Sequence, residues 1–275
     1  MKKNDKVTVL MSVYYKEKPD YLIACLDSML NQTYLPDEIV LVKDGPLTDE
    51  LDSVIEEYVG KAPQVFRLVP LSENVGLGKA LAIGVEASSH QLIARMDTDD
   101  IAIPERLEKQ RNYFIENPAT SIVGSNIIEF EGTVENIIAN RTVPSTYEEI
   151  LAFAKRRNPF NHMTVMYRKE AVLEAGNYQP LNGYEDYYLW VRMLKQGAVA
   201  HNFNEVLVYA RGGEDMYERR GGWKYYLDGR EAQKKIFEVG LGSKKDYAIR
   251  MASQTLVNLV PNKVRGFLYK QFLRK

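Results

Sequence analysis

The chain has little of several features on which other classes of protein depend. Its 275 residues include one cysteine, Cys25, and three histidines. A single cysteine excludes an intramolecular disulfide and a cysteine-rich zinc site, and it suits a reducing compartment. The formal net charge is −1, so overall charge does not indicate binding to nucleic acid. No apolar run approaches the ~20 residues of a transmembrane helix. The short apolar stretch behind the N-terminal lysines predicts a first strand, not a signal peptide.

The first hundred residues alternate short apolar runs with amphipathic stretches. The runs predict four strands, at Val7–Val13, Glu38–Val42, Val65–Val69 and Leu92–Met96. The stretches between them carry apolar residues at helical spacing, which predicts a helix in each connection. Strands alternating with helices indicate an α/β fold, with a Rossmann-like, mostly parallel central sheet flanked by helices. Ligands of such sheets bind beyond the carboxyl ends of the strands.

Three carboxylates follow the fourth predicted strand, namely Asp97, Asp99 and Asp100. Alternate residues of an extended chain point to the same side, so Asp97 and Asp99 can reach one ion. Carboxylate oxygens are hard ligands that suit Mg²⁺ or Mn²⁺. The same cluster is also consistent with a solvated acidic turn before the helix that begins near Pro104. We expect Asp100 to serve the N-terminus of that helix.

Other distinctive residues stand at the same predicted rim of the sheet. Tyr14 follows the first strand and Asp44 follows the second, and side chains that converge there are typical of a nucleotide-binding half-domain. A glycine-bearing turn, 74–79, opens a helix whose backbone N–H groups can face an anion. Arg95 immediately precedes the acidic cluster, so it is either a charge partner of that cluster or part of a surface ion pair.

The pattern beyond residue 117 is mixed, and the chain from Trp223 onward predicts helices. The last segment, 261–275, combines four apolar residues near one face with five lysines and arginines. A short basic amphipathic helix of this kind can lie on an anionic membrane surface. The alternative is a plain surface helix packed on the domain. The predicted organisation is a domain of residues 1–215, with halves at 1–117 and 118–215, followed by a helical extension, 216–275.

Six segments, in this order, resemble family 2 inverting glycosyltransferases, which have the GT-A fold. The similarity covers roughly Thr8–Gly197 and is greatest to bacterial enzymes that build capsule, exopolysaccharide or O-antigen units. The segments are VLMSVYYKEKPDYLIACLDSMLNQT, EIVLVKDGP, ENVGLGKALAIGV, IARMDTDDIAIPERLEKQ, NPFNHMTVMYRKEAV and GYEDYYLWVRMLKQG.

The resemblance implies roles for the residues of the first half. It places Asp97 and Asp99 in the family's DXD motif, with Asp97 near the nucleotide ribose and Asp99 on the metal that bridges the diphosphate. It places Tyr14 and Asp44 in the pocket for the nucleotide base. It also assigns part of the donor site to the glycine-bearing turn; the residues concerned are Asn74, Gly76 and Lys79.

The resemblance also implies roles in the second half. Glu185 and Asp186 match the family's ED motif, in which the aspartate is the general base for the acceptor hydroxyl and Glu185 lies nearby in the acceptor site. The alternative role for Asp186 is to cap the helix that follows. His162 matches a position near the diphosphate or the acceptor. Trp190 either lines the acceptor cleft or packs in the core.

These assignments imply a metal-dependent inverting glycosyltransferase with Mn²⁺ or Mg²⁺ as cofactor. The expected donor is a nucleotide sugar, specifically a UDP-sugar, and the expected acceptor is a saccharide linked to a lipid. The expected location is cytoplasmic and peripheral, on the inner face of a bacterial plasma membrane. Two alternatives remain, a sugar-phosphate nucleotidyltransferase and a catalytically silent protein that binds sugar nucleotides.

Overall fold

A computed structural model describes residues 6–212 and 223–259, whose strands form one nine-stranded sheet with helices on both faces. The strands are β1 (Val7–Val13), β2 (Glu38–Lys43), β3 (Phe66–Pro70), β4 (Leu92–Arg95), β5 (Ile101–Ala102), β6 (Thr120–Phe130), β7 (Ile137–Arg141), β8 (Met166–Arg168) and β9 (Val199–Arg211). The α-helices are α1 (Pro19–Leu30), α2 (Asp49–Lys61), α3 (Leu77–Ala87), α4 (Arg106–Glu116), α5 (Tyr147–Ala154), α6 (Lys169–Glu174), α7 (Glu185–Lys195), α8 (Trp223–Glu238) and α9 (Lys244–Leu259).

The first half of the sheet is parallel, with the order β3-β2-β1-β4. Val9 of β1 lies opposite Ile39 of β2 on one side and Ala94 of β4 on the other. Strands β1, β2 and β4 are buried and mostly apolar, as parallel strands covered by helices on both faces must be, whereas the edge strand β3 is partly exposed. The carboxyl ends of β1, β2 and β4 therefore meet at one rim, which brings together the segments that follow these strands.

Alternate side chains of β1 pack against different helical layers. Val9 and Met11 belong to the apolar cluster that contains the buried faces of α1 and α2. Leu10 belongs to a second cluster, which contains α3 and α7. Neighbouring residues of a strand point to opposite faces. Helices cover both faces of the sheet at β1, so nearly every residue of this strand must be apolar.

The second half of the sheet is mixed. Strand β8 is antiparallel to both β4 and β6, while β6 is parallel to β9. Residues 120–130 form one long strand whose register with β9 shifts three times. Such irregularities bend a strand and increase its twist. The short strands β5 and β7 were not predicted from the sequence, because segments of two and five residues are too short to show a clear apolar period.

The C-terminal extension contributes helices α8 and α9. Ala232 and Ile236 of α8 pack against Tyr187 and Val191 of α7, so the described part of the extension is attached to the sheet domain. The predicted amphipathic helix at 261–275 lies outside the described residues. Within the described ranges, no helix combines the length and the apolar character that crossing a bilayer requires.

Candidate active site

One cleft of about 440 Å³ is lined by both acidic segments that the sequence singled out. Asp97, from the segment after β4, and Asp186, from the first turn of α7, both contribute to its wall. The segment after β4 and the start of α7 meet here because β4 pairs with β8, which leads through α6 into α7. The cleft is also lined by Leu77, Arg95, Glu129, Arg141, Thr142, Val143, Phe153, Arg157, Asn158, Phe160, His162, Met163, Gly183, Tyr184, Glu185, Tyr187 and Arg250.

The three aspartates after β4 converge closely enough to hold one cation. One carboxylate oxygen from each of Asp97, Asp99 and Asp100 lies within 4.8 Å of the others. Burial, followed by the nearby charges of Asp97 and Glu17, raises the pKa of Asp99 to about 7. Burial and the charge of Asp99 raise the pKa of Asp100 well above its usual value. Carboxylates crowded in this way repel one another, and a divalent cation bound by their oxygens would remove the repulsion. The residues therefore fit a metal ion.

The structure corrects the role predicted for Asp100. The residue before α4 is Glu105, which makes no side-chain capping bond. Asp100 instead accepts a hydrogen bond of 2.7 Å from the backbone N–H of Arg211, at the end of β9. Its other oxygen is buried without a hydrogen-bond partner in the described structure. Strand β9 passes alongside because it pairs with β5, a contact between distant parts of the chain that no local pattern reveals.

Arg95 is the charge partner of Asp97. Its guanidinium forms an ion pair with the Asp97 carboxylate, and Arg95 is only 1% exposed, so the alternative of a surface ion pair is wrong. Two further nitrogens of this guanidinium, Nε and Nη1, are buried without a hydrogen-bond partner among the described residues. Behind it, the buried Arg106 donates a 2.6 Å hydrogen bond to the carbonyl of Arg95. The ion pair with Arg95 and the hydrogen bond from Arg106 thus fix the position of the segment after β4.

The glycine-bearing turn already has an anion in front of it, namely Asp44. The Asp44 carboxylate accepts hydrogen bonds from the backbone N–H groups of Val75, at 2.7 Å, and Gly76, at 3.2 Å. Gly45 makes this approach possible, because its φ is +87° and a Cβ there would lie 2.7 Å from the nitrogen of Asn74. The prediction that these N–H groups face a ligand anion is therefore wrong for Val75 and Gly76.

Tyr14, Asn74 and Lys79 do not line the cleft. Tyr14 is half-buried, and its ring lies edge to face against Tyr15 with 5.8 Å between centroids. Asn74 donates a 3.1 Å hydrogen bond to the carbonyl of Asp44, which ties the turn to the end of β2. Lys79, in the first turn of α3, is exposed.

Asp186 is held by two donors on the wall of the cleft. The backbone N–H of Tyr187 and the side-chain amide of Asn158 each donate a 2.6 Å hydrogen bond to its carboxylate. The residue before α7 is Tyr184, so Asp186 is not the helix cap. Burial raises the pKa of Asp186, and these two hydrogen bonds act in the opposite direction. A carboxylate with a raised pKa, oriented by neighbours and facing a cleft, has the properties of a general base.

Glu185 and His162 lie on the same wall. Burial, with a smaller effect of the Asp186 charge, raises the pKa of Glu185 to about 7. A Cβ on Gly78 of α3 would lie 3.2 Å from the Cβ of Glu185, so the start of α3 packs against the start of α7. The Nε2 atom of His162 lies 3.0 Å from the Tyr178 hydroxyl, and burial lowers the pKa of this histidine well below its usual value, so the imidazole is neutral.

Comparison with known proteins decides the family. The glycosyl transferase family 2 model matches residues 8–176, more than half of the chain. The chain belongs to this family. It is therefore a glycosyltransferase, and the nucleotidyltransferase alternative is not retained.

Curated relatives match the glycosyltransferase over nearly its whole length. The amylovoran biosynthesis glycosyltransferase AmsE of Erwinia amylovora is 40% identical, over 96% of this chain and 98% of its own. The Escherichia coli UDP-Gal:alpha-D-GlcNAc-diphosphoundecaprenol beta-1,3-galactosyltransferase is 34% identical, over 98% of this chain and 97% of its own.

Solved structures share the fold at low sequence identity, and they bear out the predicted GT-A fold. TarS residues 1–349 from S. aureus, in complex with UDP-GlcNAc, superpose with a TM-score of 0.67 at 19% identity, over 91% of this chain and 71% of that one. The mannosyltransferase PcManGT from Pyrobaculum calidifontis, in complex with GDP-Man and Mn²⁺, superposes with a TM-score of 0.59 at 15% identity, over 98% of this chain and 88% of that one.

Trp190 of the glycosyltransferase does not line the cleft, which corrects its assignment to substrate binding. Its side chain is fully buried among aromatic rings, including those of Phe160, Tyr167 and Tyr178. It lies on α7 four residues after Asp186, and its ring contacts that of Tyr167 in β8 of the sheet. Sequence alone left both roles open, because a tryptophan in an amphipathic helix suits either.

We expect Trp190→Ala to lower the free energy of unfolding by about 3–5 kcal/mol, because it removes a large side chain from a fully packed core. Tyr188→Ala, at a half-buried position of the same helix, is the matched control and should cost clearly less. Urea denaturation measures both. A Trp190→Ala variant of unchanged stability with a raised KM for the acceptor would mean that the tryptophan acts in the cleft after all.

Several residues of the cleft were not found from the sequence. Asn158, which orients Asp186, lies within a segment quoted for the family, but its amide carried no local signal of its own. Glu17, which is not part of the cleft lining, comes from the loop after β1, and its carboxylate accepts a hydrogen bond from Thr98 in the acidic segment; it was also not found. Three arginines also went unnoticed because they lie on separate elements that meet only in the folded protein; they are Arg141, Arg157 and Arg250.

Proposed function

We propose that this glycosyltransferase moves a sugar from a UDP-sugar to a hydroxyl of a saccharide linked to a lipid diphosphate, with inversion at the anomeric carbon. The observation that carries the proposal is that Asp97, of the acidic segment after β4, and Asp186, at the start of α7, line the same cleft. A donor diphosphate at the first and an acceptor hydroxyl at the second would place the reacting groups within one cavity.

The donor half is assigned to the rim formed by β1, β2 and the segment after β4. Tyr14 offers a ring for the base to stack on, and the turn held by Asp44 and Asn74 fixes the wall beside it. The buried guanidinium of Arg95 lines the cleft beside Asp97. The choice of uridine is supported by the 34% identical relative, whose name specifies UDP-Gal.

Asp97 and Asp99 would hold a divalent cation, Mn²⁺ or Mg²⁺. When bound, this ion would act as a Lewis acid that neutralises charge developing on the leaving nucleoside diphosphate. The support from this chain is the convergence of three carboxylates within 4.8 Å. Burial, together with the charges of Asp97 and Glu17, also raises the pKa of Asp99, and a bound cation would favour its ionised form.

The acceptor half is assigned to the wall formed by the start of α7. Asp186 takes the proton of the acceptor hydroxyl while the hydroxyl oxygen forms a bond to the anomeric carbon. The bond between that carbon and the diphosphate oxygen breaks, and its electron pair leaves with the nucleoside diphosphate. Asn158 and the N–H of Tyr187 orient the base during this step. A single displacement needs one proton acceptor and no enzyme nucleophile, and it inverts the configuration.

The proposed acceptor class is supported by the same relative, whose named acceptor is a GlcNAc carried on diphosphoundecaprenol. An acceptor anchored in a membrane requires the enzyme to work at the membrane surface. We propose that the enzyme acts as a peripheral protein on the cytoplasmic side, and that segment 261–275 contributes to binding there.

A donor screen tests the proposal. With Mn²⁺ present, UDP and one UDP-sugar should raise the melting temperature of the full-length protein, since a ligand that binds only the folded state stabilises it. GDP and the corresponding GDP-sugar serve as matched controls and should have a smaller effect. The same UDP-sugar should support transfer to a sugar diphosphate that carries a short lipid. Stabilisation by UDP-sugars without any transfer or hydrolysis would favour the catalytically silent alternative.

A further inference from the structure

Three arginines from three separate elements line the acceptor half of the cleft. Arg141 ends β7, Arg157 lies in the loop after α5, and Arg250 belongs to α9 of the C-terminal extension. The fourth arginine of the cleft, Arg95, is paired with Asp97 at the donor side. The positive charge of the acceptor half therefore combines two arginines of the region from β7 to α6 with one from the C-terminal helix α9.

All three lie near the proposed base. The charge of Arg141 acts on Asp186 and opposes the rise of its pKa. Arg157 immediately precedes Asn158, whose amide binds the Asp186 carboxylate. The charge of Arg250 acts on Tyr187, the next residue along α7. An acceptor whose hydroxyl reaches Asp186 would thus have guanidinium groups beside it.

Arg250 also has donor capacity that the described protein does not use. Its Nε is buried and has no hydrogen-bond partner among the described residues. A guanidinium offers several N–H groups in a planar fork that matches the oxygens of a phosphate. Glu129, Glu185 and Asp186 place negative charge in the same cleft. Burial raises the pKa of Glu185 to about 7, so the charge of this carboxylate is only partly present near neutral pH.

We propose that Arg141, Arg157 and Arg250 form the binding site for the diphosphate of the acceptor. The proposal rests on the proposed function, in which the acceptor is a sugar carried on a lipid diphosphate. On such an acceptor the reacting hydroxyl and the diphosphate are attached to the same sugar ring or to neighbouring rings. The general base and a positively charged site for the diphosphate must then lie close together in one cleft. The C-terminal extension thereby completes the acceptor site with Arg250.

Binding of geranyl diphosphate to the full-length protein tests this assignment without any sugar transfer. The titration is done in EDTA, so that a divalent cation at the aspartates cannot bind the diphosphate. Geraniol, which has the same chain without phosphate, is the matched ligand. The wild type should bind geranyl diphosphate and bind geraniol much more weakly. Arg157→Gln and Arg250→Gln should each weaken geranyl diphosphate binding by about tenfold or more, since each removes charge-assisted hydrogen bonds.

Lys245→Gln is the matched control variant. It removes one positive charge from an exposed position of α9, and it should bind geranyl diphosphate as the wild type does. Binding of UDP in the presence of Mn²⁺ is measured on every variant and should stay within about twofold, which shows that the donor half is intact.

Three results would overturn the assignment. These are equal binding of geraniol and geranyl diphosphate by the wild type, unchanged binding by both arginine variants, and a selective loss of UDP binding in those variants. The last result would assign the arginines to the donor. None of these results depends on transfer activity, so a failure here is distinct from a failure of the proposed function, which would appear as absent transfer from every UDP-sugar.

Discussion

Replacing Asp186 by asparagine is expected to lower kcat for sugar transfer by about 10²–10⁴-fold, the contribution typical of a positioned general base. The amide has nearly the same shape, but it cannot take the acceptor's proton. The binding of UDP with Mn²⁺ should be retained, because Asp186 lies on the acceptor wall. Initial-rate kinetics with both substrates varied, together with UDP titration, measure the two effects. Transfer at near wild-type rate would show that the base is another group.

Glu185→Gln is the matched control, since it removes the neighbouring carboxylate of the same turn. The pH dependence of kcat/KM distinguishes the two acids. The raised pKa of Asp186 means that its base form is lost at a higher pH than for an ordinary aspartate. As the pH is lowered, kcat/KM of the wild type should therefore begin to fall at a pH above the pKa of an ordinary aspartate. Glu185→Gln should keep this acidic limb, and Asp186→Asn should lose it from the residual rate.

Replacing Asp99 by asparagine is expected to weaken the affinity for Mn²⁺ by at least the roughly 10–100-fold seen when outer-shell partners of metal ligands are removed. The apparent affinity for the UDP-sugar should fall with it. Calorimetric titration of Mn²⁺ in the presence of UDP measures the loss. Glu105→Gln, an exposed acid just before α4, is the matched control and should change neither affinity.

The same Asp99→Asn variant should be more stable than the wild type when metal is absent. The folded-state pKa of Asp99 is about 7, above its ordinary value of 3.8, so ionising this group opposes folding. The penalty begins as the pH rises above the ordinary value and is complete above the folded-state value. At pH 8 in EDTA, where Asp99 is ionised and no metal is bound, Asp99→Asn should therefore have a higher melting temperature than the wild type. Mn²⁺ with UDP should then raise the melting temperature of the wild type by more than that of the variant. A variant that Mn²⁺ and UDP stabilise as strongly as the wild type would place the metal elsewhere.

The position of the acidic segment after β4 was predictable from the sequence. The placement of Asp97 and Asp99 at the rim of a parallel sheet followed from an apolar run, two-residue alternation and the general position of ligand sites. The structure brings their oxygens together as predicted. Their neighbour Asp100 was assigned to the following helix, because its true partner, the N–H of Arg211, lies 111 residues away.

The residues of the acceptor half of the cleft were only partly predictable from the sequence. Asp186 was found through the resemblance of its motif, but Asn158 and the three arginines were not. A polar residue in a loop has no periodic signal, and its role depends on which distant elements fold against it. Trp190 shows the same limit in the core, since the pattern of α7 suits a residue that faces either the cleft or the sheet.

The order of residues along this chain determined the parallel half of the sheet, because each of its strands and helices is encoded by an apolar period within a dozen residues. It also determined the donor-side acids, because a parallel sheet brings the ends of its strands to one rim. The cationic wall, the true partner of Asp100 and the burial of Trp190 were decided only by tertiary structure. Each depends on contacts between segments far apart in sequence, and such contacts are set by the packing of the whole sheet and its helices.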